Sequence, residues 1–452
     1  MIPSGFEPET HSLEGCCSIQ LSYGTVAVDR AVGWKMRKPD RACKDNDFLR
    51  NFASMKKLLY ISVVAVAVGV AAVLLTPKER YVVMVSMDGF RWDYPALYSC
   101  PNVDAVAENG VWTDMYPSYP ASTFPNHYAM ATGLVPDHYG LVNNSFWNPE
   151  TEDYYSMGGP NRHNPEYFLG EPIWLTAQRQ GVKTGVVYWV GSDVAVQGQY
   201  PTYWKNYEEK PLLEYSARID TVEAYLNLPK KDRPRLIMVY FDEPDHSGHG
   251  FGPESEQVGK AVALVDEQVG RLREAIARSK VGKRTDLILV SDHGMTEIDP
   301  RRCIHPSDWV RPEWYERLLA GTPTSIFTKP EFRDSVYNAF SKAPHVTVWR
   351  KEDIPLELNY GSSPRIGDIV VAPDLGWQIH DRHPRGPGGA HGYSPYDKDM
   401  QAIFRAEGPD FKKGKRVDSF RNVTLYPLVC HLLGIEPAPN DGDLEEVRGL
   451  LR

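Results

Sequence analysis

The sequence is poor in cysteine and has no excess of basic residues, and each shortage excludes a class of protein. Its six cysteines, in a chain of 452 residues, form no CxxC pair and follow no regular spacing. We therefore expect neither a disulfide framework nor a thiolate zinc site, although one pair among Cys100, Cys303 and Cys430 could still oxidise. The 50 basic residues are outnumbered by 59 acidic ones. A broad surface for duplex nucleic acid is excluded, because neutralising phosphates requires a basic face.

The composition does contain enough apolar material for a folded core. Hydrophobic residues make up 42% of the chain and charged residues 24%, which excludes a wholly disordered, collagenous or coiled-coil protein. The sequence has no internal repeat and no low-complexity linker, so we expect residues 77–452 to form one large domain. An anionic substrate would need local positive charge, and metal ions bound to some of the 13 histidines and many aspartates could supply it.

One strongly apolar segment lies near the N-terminus. Met55, Lys56 and Lys57 precede an apolar run over 58–75, which is the pattern of a secretory signal. We interpret 55–76 as a signal peptide or a membrane anchor, since a run of this length just spans a bilayer. Residues 1–54 resemble a translation across a transfer-RNA gene, so we expect a mis-annotated or non-structural extension; the alternative is a real cytoplasmic tail. Both interpretations predict a periplasmic or extracellular domain, anchored in the membrane through 58–75 if that run is not cleaved.

Short runs rich in β-branched residues alternate with helical patterns from Tyr81 onward. Continuous apolar runs of this kind indicate strands buried on both faces of a largely parallel sheet. The predicted strands are 81–87, 183–189, 235–241, 286–291 and 368–372, and 255–279 has the pattern of an amphipathic helix. We predict an α/β fold with helices on both faces of the sheet. The stretch 145–207, rich in Gly, Pro and aromatics, is expected to form a small loop-rich insertion or substrate lid.

Aspartates and histidines follow three of the predicted strands, at the edge where open α/β sheets bind ligands. They are Asp88 after the first strand, Asp245 and His249 after the third, and Asp292 and His293 after the fourth. Pro244 and nearby glycines argue against a helix, so we expect a compact loop to bring Asp245 and His249 together.

A further histidine, His391, lies among glycines, where the backbone could pass close to an ion. Any one of these residues alone is better explained as a turn or a solvent-facing side chain. Their convergence on one edge favours a metal site. Oxygen and imidazole ligands without thiolates suit zinc or manganese, and their number is enough for two ions.

Thr123 precedes a helical pattern that has Pro125 in its first turn. One interpretation is an ordinary helix-capping threonine. The other is a nucleophile whose hydroxyl is ionised by a metal, placed at a helix N-terminus that favours a bound phosphate. The two interpretations predict different effects of replacing Thr123.

Five motifs occur in order along the chain, and together they are specific. They are MDGFR (87–91), STFPNHYAMATGL (122–134), DEPDHSGH (242–249), SDHGM (291–295) and GAHGY (389–393). In this order they resemble the nucleotide pyrophosphatase/phosphodiesterase family of the alkaline phosphatase superfamily, in its bacterial type with a single catalytic domain. The resemblance covers residues 81–437 and implies an alkaline-phosphatase-like fold with two Zn²⁺ per chain.

The resemblance also implies which residues hold the two ions. One zinc would be held by Asp245, His249 and His391. The other would be held by Asp88, Asp292 and His293, with Thr123 between metal and substrate as the nucleophile.

The resemblance further implies a substrate site. Asn144 would join the backbone at Phe124 in holding a phosphoryl oxygen. A nucleobase would stack between Phe124 and Tyr207, with Trp189, Asp193 and Tyr240 nearby. Core packing is an equally good explanation for Tyr240 and is also open for Trp189. Arg162 and Val190 stand where the family commonly has Lys and Pro, which leaves the base preference open.

The implied function is an exported two-zinc phosphodiesterase or nucleotide pyrophosphatase. It would hydrolyse nucleotide pyrophosphates and phosphodiesters to nucleoside 5′-monophosphates through a phosphothreonine intermediate. One alternative is a lipid- or choline-linked phosphodiesterase of the same superfamily. A non-catalytic metal- and nucleotide-binding surface protein is less favoured, because no ligand or nucleophile of the pattern is missing. The expected partner is a small-molecule substrate, and the sequence does not indicate an oligomeric state.

Overall fold

A computed structural model describes residues 55–57, 60, 79–381 and 384–452. The predictions for residues 1–54 and for all of the run 58–75 except Tyr60 therefore lie outside the described residues. No helix in the described part of the chain is both long and apolar enough to cross a membrane.

The strands and helices are numbered in chain order. The strands are β1 (Tyr81–Met87), β2 (Val111–Tyr116), β3 (Ser145–Asn148), β4 (Asp153–Ser156), β5 (Thr184–Val187), β6 (Tyr203–Lys205), β7 (Leu236–Phe241), β8 (Thr285–Val290), β9 (Thr296–Ile298), β10 (Cys303–Ile304), β11 (Tyr315–Leu319), β12 (Thr324–Thr328), β13 (Val346–Arg350), β14 (Ile369–Pro373), β15 (Gln378–Ile379), β16 (Gly388–Ala390), β17 (Ala402–Glu407), β18 (Lys415–Arg416) and β19 (Phe420–Arg421). The α-helices are α1 (Tyr94–Leu97), α2 (Pro101–Asn109), α3 (Thr123–Thr132), α4 (Pro136–Tyr139), α5 (Ile173–Arg179), α6 (Tyr215–Asn227), α7 (Asp245–Phe251), α8 (Glu256–Arg278), α9 (Arg333–Phe340) and α10 (Leu425–Leu433).

A nine-stranded sheet forms the centre of the fold. Its order is β18-β2-β17-β8-β1-β7-β5-β6, and β19 also pairs with β2. The five strands from β8 to β6 are parallel, whereas β17 is antiparallel to both of its neighbours. The predicted α/β fold with a largely parallel sheet is confirmed.

Helices cover both faces of this sheet. Val82 and Met84 of β1 belong to an apolar core with α3, α5 and α10, whereas Val83 and Val85 belong to a second core with α2, α6 and α8. Every residue of β1 is buried. This burial on both sides explains why the strand is an unbroken apolar run rather than an alternating one.

The prediction that 368–372 joins the parallel sheet is wrong. This segment is β14 (Ile369–Pro373), a strand of a separate antiparallel sheet with the order β11-β12-β14-β13. Ile369 and Val371 face the core of that smaller sheet, while Val370 faces the main core. Because β14 is buried on both sides, its apolar run resembles that of a central strand, and a short run does not reveal its partners.

The segment 145–207, predicted to form a loop-rich insertion or lid, also contains regular structure. It holds the β3–β4 hairpin and helix α5, and it also contributes β5 and β6 to the central sheet. The predicted helix over 255–279 is observed as α8, and Ser255 caps it by accepting a hydrogen bond from the backbone N–H of Val258. Cys100, Cys303 and Cys430 are all free thiols.

A buried carboxyl group at the start of β8 should make stability depend on pH. Asp286 is fully buried; its Oδ1 accepts a hydrogen bond from the N–H of Asp410 at 3.1 Å, and no described residue bonds Oδ2. Burial raises the pKa of Asp286 to about 8, and the nearby Asp410 carboxylate adds to the rise. Between about pH 4 and pH 8 the unfolded chain loses this proton while the folded chain keeps it, so stability falls by up to about 1.4 kcal/mol per pH unit.

We expect Asp286→Asn to remove this slope. Thermal unfolding at pH 5, 7 and 9 should show a smaller loss of Tm towards alkaline pH in the variant than in the wild type. Asp418→Asn, at an exposed carboxylate, is the matched control and should follow the wild-type profile. Parallel pH profiles for Asp286→Asn and the wild type would show that Asp286 is not the group responsible.

Candidate active site

Three aspartates meet at one edge of the central sheet because the strands that carry them are neighbours. β7, β1 and β8 lie side by side and parallel, so Asp245, Asp88 and Asp292 follow their carboxyl ends. The N–H of Asp245 donates to the carbonyl of Asp88 at 3.0 Å. Gly89 has a positive φ, and a Cβ there would lie only 2.9 Å from the Cα of Asp245. Glycine is therefore required for the close approach of the two aspartates.

The prediction of a loop around Asp245 and His249 is wrong, because these residues lie in helix α7. Pro244 occupies the N-cap position, where a missing N–H costs no helical hydrogen bond. The helix packs tightly against β16: a Cβ on Gly388 would lie 2.3 Å from the carbonyl oxygen of His249. The spacing of four residues places Asp245 and His249 on the same helix face, with Asp245 Oδ2 and His249 Nε2 3.4 Å apart.

His249 and His391 present their Nε2 atoms to each other beside Asp245. The two Nε2 atoms are 3.2 Å apart, and His391 Nε2 is 3.8 Å from Asp245 Oδ1. Each ring donates its Nδ1–H to a backbone carbonyl at 2.9 Å, that of Gly389 for His249 and that of Ala121 for His391. Both Nε2 lone pairs are therefore free. Carbonyl-bonded imidazoles that converge in this way are typical of metal ligands.

His391 is also suited to bind a cation in its neutral form. Burial, together with the nearby His293 and His249, holds the pKa of His391 well below its usual value. A neutral imidazole at physiological pH keeps the lone pair that a metal ion requires.

A second group of ligands surrounds His293. Its Nε2 atom is 3.0 Å from Asp292 Oδ2 and 3.5 Å from Asp88 Oδ1, while its Nδ1–H donates to the carbonyl of Gly294 at 2.8 Å. Burial and the neighbouring carboxylates of Asp292 and Asp245 raise the pKa of Asp88 well above its usual value. Closely spaced carboxylates that are buried away from water need a cation to compensate their negative charge.

The donor set of the two groups fits two divalent cations. One oxygen of each aspartate is buried and has no hydrogen-bond partner among the described residues, namely Asp88 Oδ1, Asp245 Oδ1 and Asp292 Oδ2. Such orphaned oxygens are rare in proteins unless an ion or water satisfies them. Carboxylate and imidazole donors without sulfur suit zinc or manganese.

Thr123 faces the second group. It is the first residue of α3 rather than the N-cap, which is Ser122. Thr123 Oγ1 lies 3.2 Å from His293 Nε2, and the side chain is partly exposed. A hydroxyl that only capped the helix would instead bond a backbone N–H of the first turn.

Asn144 and Phe124 are brought together next to Thr123. The backbone N–H of Phe124 donates to Asn144 Oδ1 at 2.8 Å. The sequence predicts that the Asn144 side chain and the Phe124 N–H hold a phosphoryl oxygen together. In the structure this N–H is instead bonded to the amide oxygen of Asn144. The NH₂ group of Asn144 donates to no described residue, so it remains available as a donor for a substrate.

Phe124 and Tyr207 both lie close to the side chain of Arg162. The guanidinium carbon lies 5.7 Å from the ring centre of Phe124 and 5.3 Å from that of Tyr207. Asp193 accepts from Arg162 at 3.2 Å and from the backbone N–H of Tyr207 at 3.3 Å. Both rings are therefore within cation–π distance of Arg162, and Asp193 links Arg162 to the backbone of Tyr207. Phe124 and Tyr207 are together called the aromatic slot.

Trp189 and Tyr240 both pack against the ring of His127. Trp189 is 1% exposed and donates its indole N–H to the carbonyl of His127 at 2.9 Å. Tyr240 donates its hydroxyl to Asp88 Oδ2 at 2.7 Å. Their observed contacts are therefore with the protein, and Tyr240 orients a candidate metal ligand.

One residue of this region, His127, was not predicted from the sequence. This residue is completely buried, and its Nδ1 atom lies 3.3 Å from Asp292 Oδ2. Asp88, His127 and Asp292 also form a compact group of metal-ligand types. The available signal was its position four residues after Thr123, which places both side chains on one face of α3.

Comparisons with known proteins identify relatives over most of the chain. Residues 82–394 match the family described as type I phosphodiesterase / nucleotide pyrophosphatase. Ectonucleotide pyrophosphatase/phosphodiesterase family member 3 of Bos taurus is 35% identical over 387 residues, which cover 82% of this chain and 44% of that protein. Family member 7 of Rattus norvegicus is 36% identical over 393 residues, which cover 83% of this chain and 88% of that protein. The chain thus spans less than half the length of the family member 3 relatives.

A solved structure extends the similarity to the fold. It is murine family member 5, in an inactive form with threonine replaced by alanine and in complex with AMP. The TM-score is 0.79 at 32% sequence identity, covering 83% of this chain and all of that one. The expected alkaline-phosphatase-like fold is confirmed.

Proposed function

Since the chain belongs to the type I phosphodiesterase/nucleotide pyrophosphatase family, we propose that it hydrolyses nucleotide pyrophosphates and phosphodiesters to nucleoside 5′-monophosphates. The observation that carries this proposal is the position of Thr123, whose hydroxyl faces buried carboxylates and imidazoles with unshared lone pairs. The murine relative with bound AMP supports a nucleotide as the substrate.

Two zinc ions are proposed as the cofactors. Asp245, His249 and His391 would hold one ion, and the other would be held by Asp88, Asp292 and His293. Bound ions of this kind lower the pKa of an oxygen that they hold and stabilise charge on the attacking and leaving oxygens.

Thr123 is the proposed nucleophile. Its Oγ1 atom attacks phosphorus, the bond from phosphorus to the leaving oxygen breaks, and the electron pair departs with that oxygen. The hydroxyl proton of Thr123 is released to solvent, which supplies a proton to the leaving group. The result is a phosphothreonine diester that still carries the nucleoside. Water then attacks the same phosphorus, which releases the nucleoside 5′-monophosphate and returns a proton to Thr123. The murine structure supports a threonine in this role, because its inactive form has threonine replaced by alanine.

We expect diesters to be better substrates than monoesters. The NH₂ group of Asn144 is a neutral donor, and Arg162 is already paired with Asp193 and Glu208. The extra charge of a monoester dianion therefore lacks a matching cation, and a missing charged hydrogen bond costs about 1.5–3 kcal/mol. The value of kcat/KM for the nitrophenyl ester of thymidine monophosphate should exceed that for nitrophenyl phosphate by at least about tenfold. The reverse order would contradict the proposed diester specificity.

The aromatic slot should determine the affinity for nucleotides. Because stacking contributes about 1–3 kcal/mol per base, Tyr207→Ala should raise KM for a nucleotide ester by about 5- to 100-fold with little change in kcat. Methyl nitrophenyl phosphate has no base and serves as the control substrate, for which KM should not change. An equal effect on both substrates would place the base elsewhere.

A substrate panel distinguishes this proposal from a lipid- or choline-linked phosphodiesterase. The purified domain should cleave nucleotide pyrophosphates and nitrophenyl nucleotide esters with higher kcat/KM than lysophospholipids or choline esters of phosphate. Preference for the lipid substrates would favour the alternative, and no cleavage of any substrate would favour a binding protein.

We also propose that the domain is exported to the periplasm or the extracellular space by the segment 55–76. The support is the charged start and apolar run of the sequence. N-terminal sequencing of the exported protein tests this assignment. A start upstream of Met55 would contradict the interpretation of residues 1–54 as an extension that is not translated.

A further inference from the structure

We propose that His127 is a positioning residue that joins the helix of the nucleophile to the carboxylate of Asp292. The inference rests on the proposed function only in taking Asp292 as a metal ligand and Thr123 as the nucleophile. Three elements meet at this one side chain: His127 itself lies in α3, Asp292 follows β8, and Ser86 lies in β1.

The contacts of His127 use both ring nitrogens. Nδ1 lies 3.0 Å from the carbonyl oxygen of Thr123 and 3.3 Å from Asp292 Oδ2, and Nε2 lies 2.8 Å from Ser86 Oγ. His127, Asp292 and Ser86 are all completely buried.

The neighbours of Nδ1 determine the tautomer. The carbonyl of Thr123 and the carboxylate of Asp292 are both acceptors, so Nδ1 must carry the hydrogen. Nε2 then accepts the hydroxyl hydrogen of Ser86. Neither nitrogen has a free lone pair for a cation, which distinguishes His127 from His249, His293 and His391. In the group of Asp88, His127 and Asp292, the two aspartates are therefore metal ligands and His127 supports Asp292. The group is not a third metal site.

Packing holds the ring in this orientation. The rings of Trp189 and Tyr240 approach it edge to face, with centroids at 5.3 Å and 5.1 Å. The backbone carbonyl of His127 is fixed by the indole N–H of Trp189. The Nδ1–H edge of the ring therefore faces Asp292 Oδ2 beside His293, and its hydrogen bond to the carbonyl of Thr123 fixes the first turn of α3.

Three substitutions separate positioning from simple packing. His127→Asn keeps an N–H near the position of Nδ1, His127→Gln keeps one near Nε2, and His127→Phe keeps only the ring volume. Zinc affinity is measured by competition with a chromophoric chelator, on protein shown to be folded by thermal unfolding. We expect His127→Asn to bind zinc within a few-fold of the wild type. His127→Gln and His127→Phe should bind one of the two ions about 10- to 100-fold more weakly.

A different result is expected if His127 only fills space. In that case all three variants will lower Tm while both ions bind as tightly as in the wild type, and the proposal is overturned. His138→Asn, at an exposed histidine, is the matched control and should leave both affinities unchanged.

A measurement on the metal-free wild type keeps the inference separate from the proposed function. In protein with ¹⁵N-labelled histidine, NMR should show the hydrogen of His127 on Nδ1 and protected from exchange with solvent. A hydrogen on Nε2, or rapid exchange, would overturn the proposal even if the enzyme is an active two-zinc phosphodiesterase. This result also decides the question if the Gln and Phe variants fail to fold.

Discussion

Thr123→Ala should lower turnover of a nitrophenyl nucleotide ester by about 10³-fold or more, because in the proposed mechanism the variant lacks the atom that attacks phosphorus. The fold should tolerate the change: the side chain is partly exposed and is not the N-cap, so the stability cost should not exceed about 1 kcal/mol. Thr123→Ser retains a hydroxyl and should keep measurable activity. Steady-state kinetics on variants with wild-type Tm would measure both effects.

The neighbouring hydroxyl provides a matched control. Ser122 is the N-cap of α3, but its side chain makes no capping hydrogen bond. Ser122→Ala should therefore leave turnover within a few-fold of the wild type. Near-normal turnover in Thr123→Ala would end the covalent mechanism, even if the metals and the fold were as proposed. Rapid acid quench of the wild type should release a Thr123 peptide carrying the nucleotide.

Removal of the metals should abolish activity reversibly, and zinc should restore it best. The same site predicts a specific stoichiometry for His391→Ala. The replacement removes the Nε2 atom that lies 3.2 Å from His249 Nε2, which leaves Asp245 and His249 as the remaining protein ligands of that group. Metal analysis should find about two zinc ions in the wild type and about one in the variant.

A histidine outside the site serves as the comparison. His431 is exposed at the end of α10, and His431→Ala should retain the wild-type metal content and activity. Two ions retained at full affinity in His391→Ala would reject the assignment of Asp245, His249 and His391 as one group. Undiminished activity after exhaustive chelation would reject metal dependence altogether.

The site was predictable where chemistry and topology point to the same edge. Asp88 and Asp292 each follow a continuous apolar run, and parallel neighbouring strands bring their carboxyl ends together. His391 was predictable only from its motif, because no periodic pattern connects it to the strands. The structure adds the feature that the sequence could not show, namely that His249, His293 and His391 each direct Nδ1 to a backbone carbonyl.

The errors have identifiable physical causes. Helix α7 contains Gly248 and Gly250, whose low helix propensity is overridden by packing against β16. Strand β14 has the apolar run of a central strand because two different cores cover its faces. His127 lies four residues after Thr123, but this spacing alone does not show whether a histidine in a helical motif contacts a carboxylate or faces solvent.

The stereochemical course at phosphorus tests the covalent mechanism at Thr123 most directly. A single diastereomer of a thymidine nitrophenyl phosphorothioate is hydrolysed in ¹⁸O-labelled water, and the configuration of the product is determined by ³¹P NMR. Each in-line displacement inverts phosphorus, so attack by Thr123 followed by attack of water predicts net retention. Net inversion would show that water attacks the substrate in one step and would contradict a Thr123 intermediate.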